Sequence, residues 1–129
     1  MERRRLLGLF GSWAAALPIA VVAKSARVHG RELLILDCRI AGFAYYSGSE
    51  CLASIAEGDA LTLRREPNNA HDHRAVEIFW NDKKLGYVPR SHNRPLYKLM
   101  DTGERVVGEV KRIDTDNWEP LYFTVSVVV

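Results

Sequence analysis

The chain lacks the features on which many small proteins depend for stability or catalysis. Among its 129 residues there are only two cysteines, Cys38 and Cys51, too few for a disulfide framework and too far apart for a CxxC site. It contains no internal repeat, no low-complexity tract and no GxxxxGK[ST] loop for ATP. These absences exclude a disulfide-stapled domain, a repeat protein and a nucleotide-driven motor, while the length allows one modest core.

An excess of one charge is also lacking. The formal net charge is +2, but three arginines and one glutamate lie in the first 23 residues, so the remainder is near neutral. Residues 60–100 nevertheless hold eight Lys or Arg against four acidic residues. This local excess predicts a basic face for a polyanion, although solvated strand edges, where lysine is favoured, explain it equally well.

Residues 1–23 have the pattern of a targeting segment. Arginines at positions 3–5 precede an uncharged run over residues 6–23, which ends in the small-residue step Val21-Val22-Ala23, where cleavage would follow Ala23. The pattern predicts a signal peptide, with a twin-arginine character, and therefore an exported, periplasmic protein. The same run is long enough for an uncut membrane anchor. A buried N-terminal helix in a cytoplasmic protein is the third interpretation.

After a lead segment over residues 24–32, residues 33–129 predict one mainly β domain. Alternating or fully apolar runs bounded by turn residues predict strands at residues 33–41, 61–65, 75–80, 85–88, 106–113 and 121–127. A short helix is predicted between Asn93, as its cap, and Gly103, and a helical turn or loop over residues 52–56. About six strands with glycine-marked corners indicate a small closed or partly open barrel, with a two-layer sandwich as the alternative.

Three segments carry a resemblance to a known family. They are AGFAYYSG (41–48), LRREPNNAHDHRAV (63–76) and LGYVPR (85–90). In this order and spacing, over about 95 residues, they resemble the HIRAN domain. The resemblance implies an OB-like or SH3-like barrel that binds the 3′-hydroxyl end of single-stranded DNA. From its own residues we expect neither an enzymatic activity nor a cofactor.

The resemblance also implies roles for individual residues. Tyr45 would stack on a base with support from Tyr46, His71 would replace a second stacking tyrosine, and Asp72 would accept a hydrogen bond from the terminal hydroxyl. Further members of the implied nucleic-acid site are Ser47 and Asn69 as donors, Arg90 on a phosphate, and Tyr87 close to Arg90. On charge alone, Arg64 and Arg94 are further candidate phosphate contacts. Ala44 departs from the pattern, since a basic residue precedes the tyrosine pair in the DNA-binding example.

Two further expectations rest on the residues themselves, one about the burial of the tyrosine pair and one about the state of the cysteines. Tyr45 and Tyr46, if they lie on a strand, point in opposite directions, which predicts that one of them is in the core. Cys38 and Cys51 are expected either to pair after export or to remain buried thiols.

Other chemistry fits the residues less well. His71, His73 and Asp72 with the distant Cys51 raise the alternative of a zinc site, but no fourth ligand has suitable spacing. Hydrolysis by Asp72, His71 and Ser47 lacks a nucleophile signature around the serine. The sequence therefore predicts a binding module for single-stranded DNA ends. The alternative function is an exported interaction domain, with a protein partner, that keeps the fold without DNA-end binding.

Overall fold

The computed structural model of the protein describes residues 31–129. The targeting segment predicted for residues 1–23, and most of the lead segment, lie outside this range. Glu32–Val129 forms one compact unit. None of the helices within residues 31–129 has the length and apolar character needed to span a membrane.

Six antiparallel strands and two short helices make up this unit. The strands are β1 (Glu32–Arg39), β2 (Ala60–Arg65), β3 (Val76–Trp80), β4 (Lys83–Tyr87), β5 (Val106–Ile113) and β6 (Leu121–Val128). The helices are α1 (Gly48–Cys51) and α2 (Asn93–Asp101), with 3-10 turns at Phe43–Tyr45 and Leu52–Ser54. The strand order β1-β6-β5-β2-β3-β4 forms one sheet. The predicted mainly β fold is confirmed, including the bounds of β5.

The two edges of the sheet are joined just beyond the end of β1. The backbone N–H of Ala41 donates to the carbonyl oxygen of Tyr87, and the N–H of Tyr87 donates to the carbonyl oxygen of Ala41, both at 2.9 Å. This pair of hydrogen bonds, which we call the barrel seam, connects the first strand of the sheet to the last. It closes the sheet into a small barrel and so pairs edges that would otherwise be exposed.

The core lies inside the barrel and follows the alternation of the strands. On β6, Leu121, Phe123 and Val125 are fully buried, as the period-two pattern of this strand predicts. Each such side chain contributes about 1.5–3 kcal/mol by leaving water. Partners from the other strands and from α2 complete this cluster: Leu36, Ile40, Leu61, Val76, Ile78, Leu85, Val88, Leu96 and Val110.

The structure corrects two local predictions. Tyr45 and Tyr46 do not lie on a strand, because the chain turns at Gly42 (φ 75°) into a 3-10 turn. Both tyrosines are exposed, by 77% and 39%, so the prediction that one is in the core was wrong; Phe43 fills the core instead. The prediction that Asn93 caps its helix was also wrong. Asn93 is the first residue of α2 and is buried, and its side chain reaches Asp72.

Gly86 is the position at which the barrel seam is most sensitive to substitution. Its φ of +150° is rarely adopted by other residues, and a Cβ there would lie 2.3 Å from the carbonyl oxygen of Ala41. We expect Gly86→Ala to lower the free energy of unfolding by about 3 kcal/mol or more. Two costs add together, because alanine is strained at this φ and its Cβ would displace the backbone of Ala41. Urea denaturation of the full chain measures this change.

Gly58→Ala is the matched control. Gly58 also has a positive φ, +90°, but a Cβ there has no neighbour within 4 Å. Its substitution should cost about 1 kcal/mol from backbone strain alone. Equal losses for the two variants would show that the close approach of Ala41 adds nothing to the cost of a side chain at position 86.

Candidate functional site

An open cleft of about 410 Å³ lies beside the barrel seam. Three stretches of chain that are distant in sequence meet there. The seam brings the end of β1 against the end of β4, and the β2–β3 loop contacts Tyr87 and Arg90. The lining residues are Ala41, Gly42, Tyr45, Tyr46, Asn69, His71, Asp72, Ala75, Tyr87, Val88 and Arg90. Seven of the residues proposed from sequence are among them.

Asp72 supplies a nearly buried carboxylate to this cleft. Its Oδ1 accepts a 3.0 Å hydrogen bond from the backbone N–H of Arg74, and its Oδ2 accepts one of 2.9 Å from the side-chain amide of Asn93. The guanidinium groups of Arg74 and Arg90 lie 3.7 and 3.8 Å away. Burial opposes ionisation, but these hydrogen bonds and cations outweigh it and lower the pKa of Asp72. The cleft therefore presents an anion at neutral pH.

The β2–β3 loop that carries Asp72 is held by the amide of Asn69. The Asn69 Oδ1 accepts hydrogen bonds from the backbone N–H groups of His71 and Asp72, at 2.8 and 3.0 Å. Its Nδ2 donates to Glu66 Oε1 at 2.6 Å. The oxygen and the nitrogen of this amide are thus both hydrogen-bonded within the protein. The geometry therefore gives Asn69 the role of positioning the loop. Asp72 in turn forms an Asx turn with Arg74.

Lys84 and Tyr87 connect the β2–β3 loop to the side of the cleft that carries the Tyr46 ring. Lys84 Nζ donates to the Tyr87 hydroxyl at 2.8 Å, and that hydroxyl donates to Glu66 Oε1 at 2.7 Å. The same ammonium lies 4.5 Å from the centre of the Tyr46 ring and 3.1 Å from Glu77 Oε2. Burial opposes the charge of Lys84, but its hydrogen bonds to Tyr87 and Glu77 prevail and raise its pKa. This fixed cation holds both tyrosine rings in place.

Tyr45, which lines the cleft, stands beside a second exposed aromatic ring. Tyr45 contacts Trp118 edge to face, with ring centres 6.5 Å apart. Trp118 is 64% exposed and belongs to the loop between β5 and β6. The neighbouring Glu119 accepts a 3.4 Å hydrogen bond from the N–H of Gly42, which ties this loop to the cleft. Sequence reasoning missed Trp118, although a tryptophan in a polar turn is itself a signal of a binding surface.

Three of the proposed residues do not line the cleft. Ser47 is half-buried, and its backbone N–H donates to the carbonyl oxygen of Lys84. Arg64 covers the Phe79 ring on the sheet, at 4.3 Å. Arg94 is exposed on α2. Arg74, Lys84 and Asn93 support the cleft instead, and only tertiary contacts reveal their roles.

The cysteines take no part in the cleft. Both are free thiols, and Cys51 is buried. Burial, with a smaller effect from the charge of Asp37, raises the pKa of Cys38 to about 11, which makes it a poor nucleophile. Within residues 31–129, no three or more His, Cys, Asp or Glu side chains are grouped as metal ligands would be.

Comparison with known proteins places this architecture in a family. The profile of the HIRAN domain matches residues 34–129. The chain belongs to the HIRAN domain family. HIRAN domains generally bind nucleic acids. A search of curated proteins gave no match.

Two solved structures share the fold of this HIRAN domain. A crystal structure of a protein from Lactobacillus plantarum has 27% sequence identity and a TM-score of 0.69, covering 76% of this chain and 96% of its own. The crystal structure of the HIRAN domain of human HLTF has 21% identity and a TM-score of 0.59, covering 77% and 78%. The second likeness supports the fold alone.

The hydrogen bonds of Glu66 predict a dependence of stability on pH. Donation by Asn69 and Tyr87 lowers the pKa of Glu66 in the folded state. Its stabilising effect is therefore present above the ordinary glutamate pKa of about 4.3 and is lost as pH falls through the folded value. We expect Glu66→Gln to cost about 1 kcal/mol at pH 7, a difference that shrinks towards pH 3.

Urea denaturation at several pH values between 7 and 3 measures this difference. Glu57→Gln is the control, because Glu57 is exposed in a turn and lies outside the hydrogen bonds that join Lys84, Tyr87, Glu66 and Asn69. A gap between wild type and Glu66→Gln that stays constant with pH would contradict a charge-dependent role for Glu66.

Proposed function

We propose that the cleft binds the 3′-hydroxyl end of a single-stranded nucleic acid. The observation that supports this most directly is the pairing of an exposed aromatic ring, Tyr45, with a nearly buried carboxylate, Asp72, in one cleft. A ring and a carboxylate provide the two kinds of contact that a terminal nucleoside needs. The ring binds the base, and the carboxylate accepts a hydrogen bond from the sugar hydroxyl.

Base stacking supplies most of the affinity in this proposal. Tyr45 offers most of its ring to solvent, and Trp118 beside it extends the aromatic surface by a second ring. Every base has a π face, so such a surface binds single strands with little sequence preference, at about 1–3 kcal/mol per base. His71, exposed in the β2–β3 loop, lines the same cleft and offers a smaller face.

The Asp72 carboxylate supplies the preference for an end. Its two accepted hydrogen bonds leave lone pairs free, so it can accept one more from a 3′-hydroxyl. A continuing phosphodiester or a 3′-phosphate brings a negative charge to the same place and is repelled. In this proposal Arg90, which is 72% exposed as a side chain and lies 3.8 Å from Asp72, contacts the phosphate that precedes the terminal sugar.

Asp72→Asn tests the selection of the end. The asparagine keeps the Asx turn, and the Asn93 Oδ1, which is buried with no hydrogen-bond partner in residues 31–129, can rotate to accept from it. We expect wild type to prefer a 3′-hydroxyl strand to a 3′-phosphate strand by about tenfold or more, about 1.4 kcal/mol, and the variant to lose that preference. Fluorescence anisotropy with both labelled strands measures it.

Asp82→Asn, in the exposed turn between β3 and β4, is the matched loss of one negative charge. It should keep the end preference of wild type. An equal loss of affinity for both strands in Asp72→Asn would mean that Asp72 only shapes the loop. If no strand binds wild type, the fold would instead serve an interaction with a protein.

Tyr45→Ala and Tyr45→Phe test stacking. Alanine removes the ring, and we expect the Kd for a single strand to rise by about five- to 150-fold, the equivalent of about 1–3 kcal/mol. Phenylalanine keeps the π face and should bind within about threefold of wild type. If phenylalanine weakens binding as much as alanine does, the hydroxyl rather than the ring makes the contact. The same anisotropy titration measures both variants.

A further inference from the structure

A row of three side chains crosses the outer face of the sheet. The register places Arg39 of β1 opposite Tyr122 of β6, and Tyr122 opposite Arg112 of β5. The guanidinium carbon of Arg39 lies 4.7 Å from the centre of the Tyr122 ring, and that of Arg112 lies 3.9 Å from it. Two cations therefore share one aromatic ring on the barrel surface. We call these three residues the Arg-Tyr-Arg row.

The row has hydrogen-bonding capacity that the protein does not use. Arg39 donates through one nitrogen to the Tyr122 hydroxyl, and its Nε is buried without a partner among residues 31–129. The donors that a ligand can reach are therefore mainly those of the exposed Arg112, with the outer nitrogens of Arg39 beside them. Within the same residues neither arginine forms an ion pair, whereas the nearby Lys111 is paired with Asp37. Two like charges beside one ring repel each other, and a bound anion would relieve that repulsion.

The row lies at the same end of the sheet as the aromatic pair of the cleft. Arg39 is two residues before Ala41, which lines the cleft, and Tyr122 is four residues after Trp118. The N–H of Ile40 donates to the carbonyl oxygen of Leu121 at 3.0 Å, so these two stretches run side by side. A strand that stacks on Tyr45 and Trp118 and continues past Trp118 would pass this surface.

We propose that the Arg-Tyr-Arg row binds backbone phosphates of the strand that leaves the cleft past Trp118. The guanidinium fork matches two phosphate oxygens, which an ammonium does not. Contact with the Tyr122 ring holds both guanidinium groups before the strand arrives, so less side-chain entropy is lost on binding. The inference rests on the proposed function, because the cleft fixes the end from which the strand extends.

The test compares two lengths of single strand, each with a free 3′-hydroxyl, in anisotropy titrations of the full chain against salt. A trinucleotide is short enough to occupy the cleft alone, while a strand of about ten nucleotides is long enough to extend past it to the row. We expect the longer strand to bind wild type more tightly and with a steeper salt dependence. Arg39→Gln with Arg112→Gln should remove that gain and lower the salt slope by about 0.7 for each phosphate that the row no longer neutralises.

Two double variants serve as controls. Lys98→Gln with Arg105→Gln removes the same charge from α2 and from the residue before β5, at the opposite end of that strand from Arg112, and should keep the gain. Arg39→Lys with Arg112→Lys keeps the charge without the fork, and should keep the salt slope while losing part of the affinity. Single Arg112→Gln, at an exposed position, reports on the row if the double variant is unstable.

The outcomes separate the two proposals. If the trinucleotide binds but the longer strand gains nothing, or if the Arg39 and Arg112 variants keep the gain, the phosphate role of the row is overturned and the cleft stands. If the control double variant loses the gain equally, general charge rather than the row explains it, and the inference is again overturned. If neither strand binds at all, the proposed function itself fails.

Discussion

The rest of the structure depends on the two hydrogen bonds between Ala41 and Tyr87. They close the barrel, and they also hold the turn with Tyr45 and Tyr46 against the strand with Tyr87. A glycine at position 86 is what permits the approach, because a Cβ there would meet the carbonyl oxygen of Ala41. The constraint that completes the fold therefore also builds one wall of the cleft.

The β2–β3 loop, which forms the other wall of the cleft, is held by hydrogen bonds that begin at β4. A chain of hydrogen bonds runs from Lys84 through the Tyr87 hydroxyl to Glu66 and on to Asn69, which holds the backbone of the loop with Asp72. Each of these half-buried side chains forms a hydrogen bond with the next. Removal of one leaves the polar group of its neighbour without a partner, which lowers the free energy of unfolding by about 1–3 kcal/mol. The loop is thereby preorganised, which reduces the entropy lost on binding a ligand.

The net charge of this protein says little about its surface, because individual charged side chains are concentrated at particular places. The domain is near neutral as a whole, yet Arg90 lies beside Asp72 at the cleft and the Arg-Tyr-Arg row lies at the same end of the sheet. In the proposed function, stacking provides affinity, the carboxylate provides the preference for an end, and the cations provide salt-dependent contacts to phosphate. Near-neutral net charge is compatible with all three.

The positions of the strands and seven of the residues that line the cleft could be predicted from the sequence. Alternation fixed the inward faces of β2 and β6, and the segments around Tyr45, Asp72 and Tyr87 predicted which residues would meet. Tertiary structure alone decided the rest, because strand order, ring exposure and side-chain reach depend on contacts distant in sequence. Both tyrosines lie outside the core, and Asn93 bonds to Asp72 instead of capping its helix. Trp118 contacts Tyr45, and no local pattern encodes a contact across 73 positions.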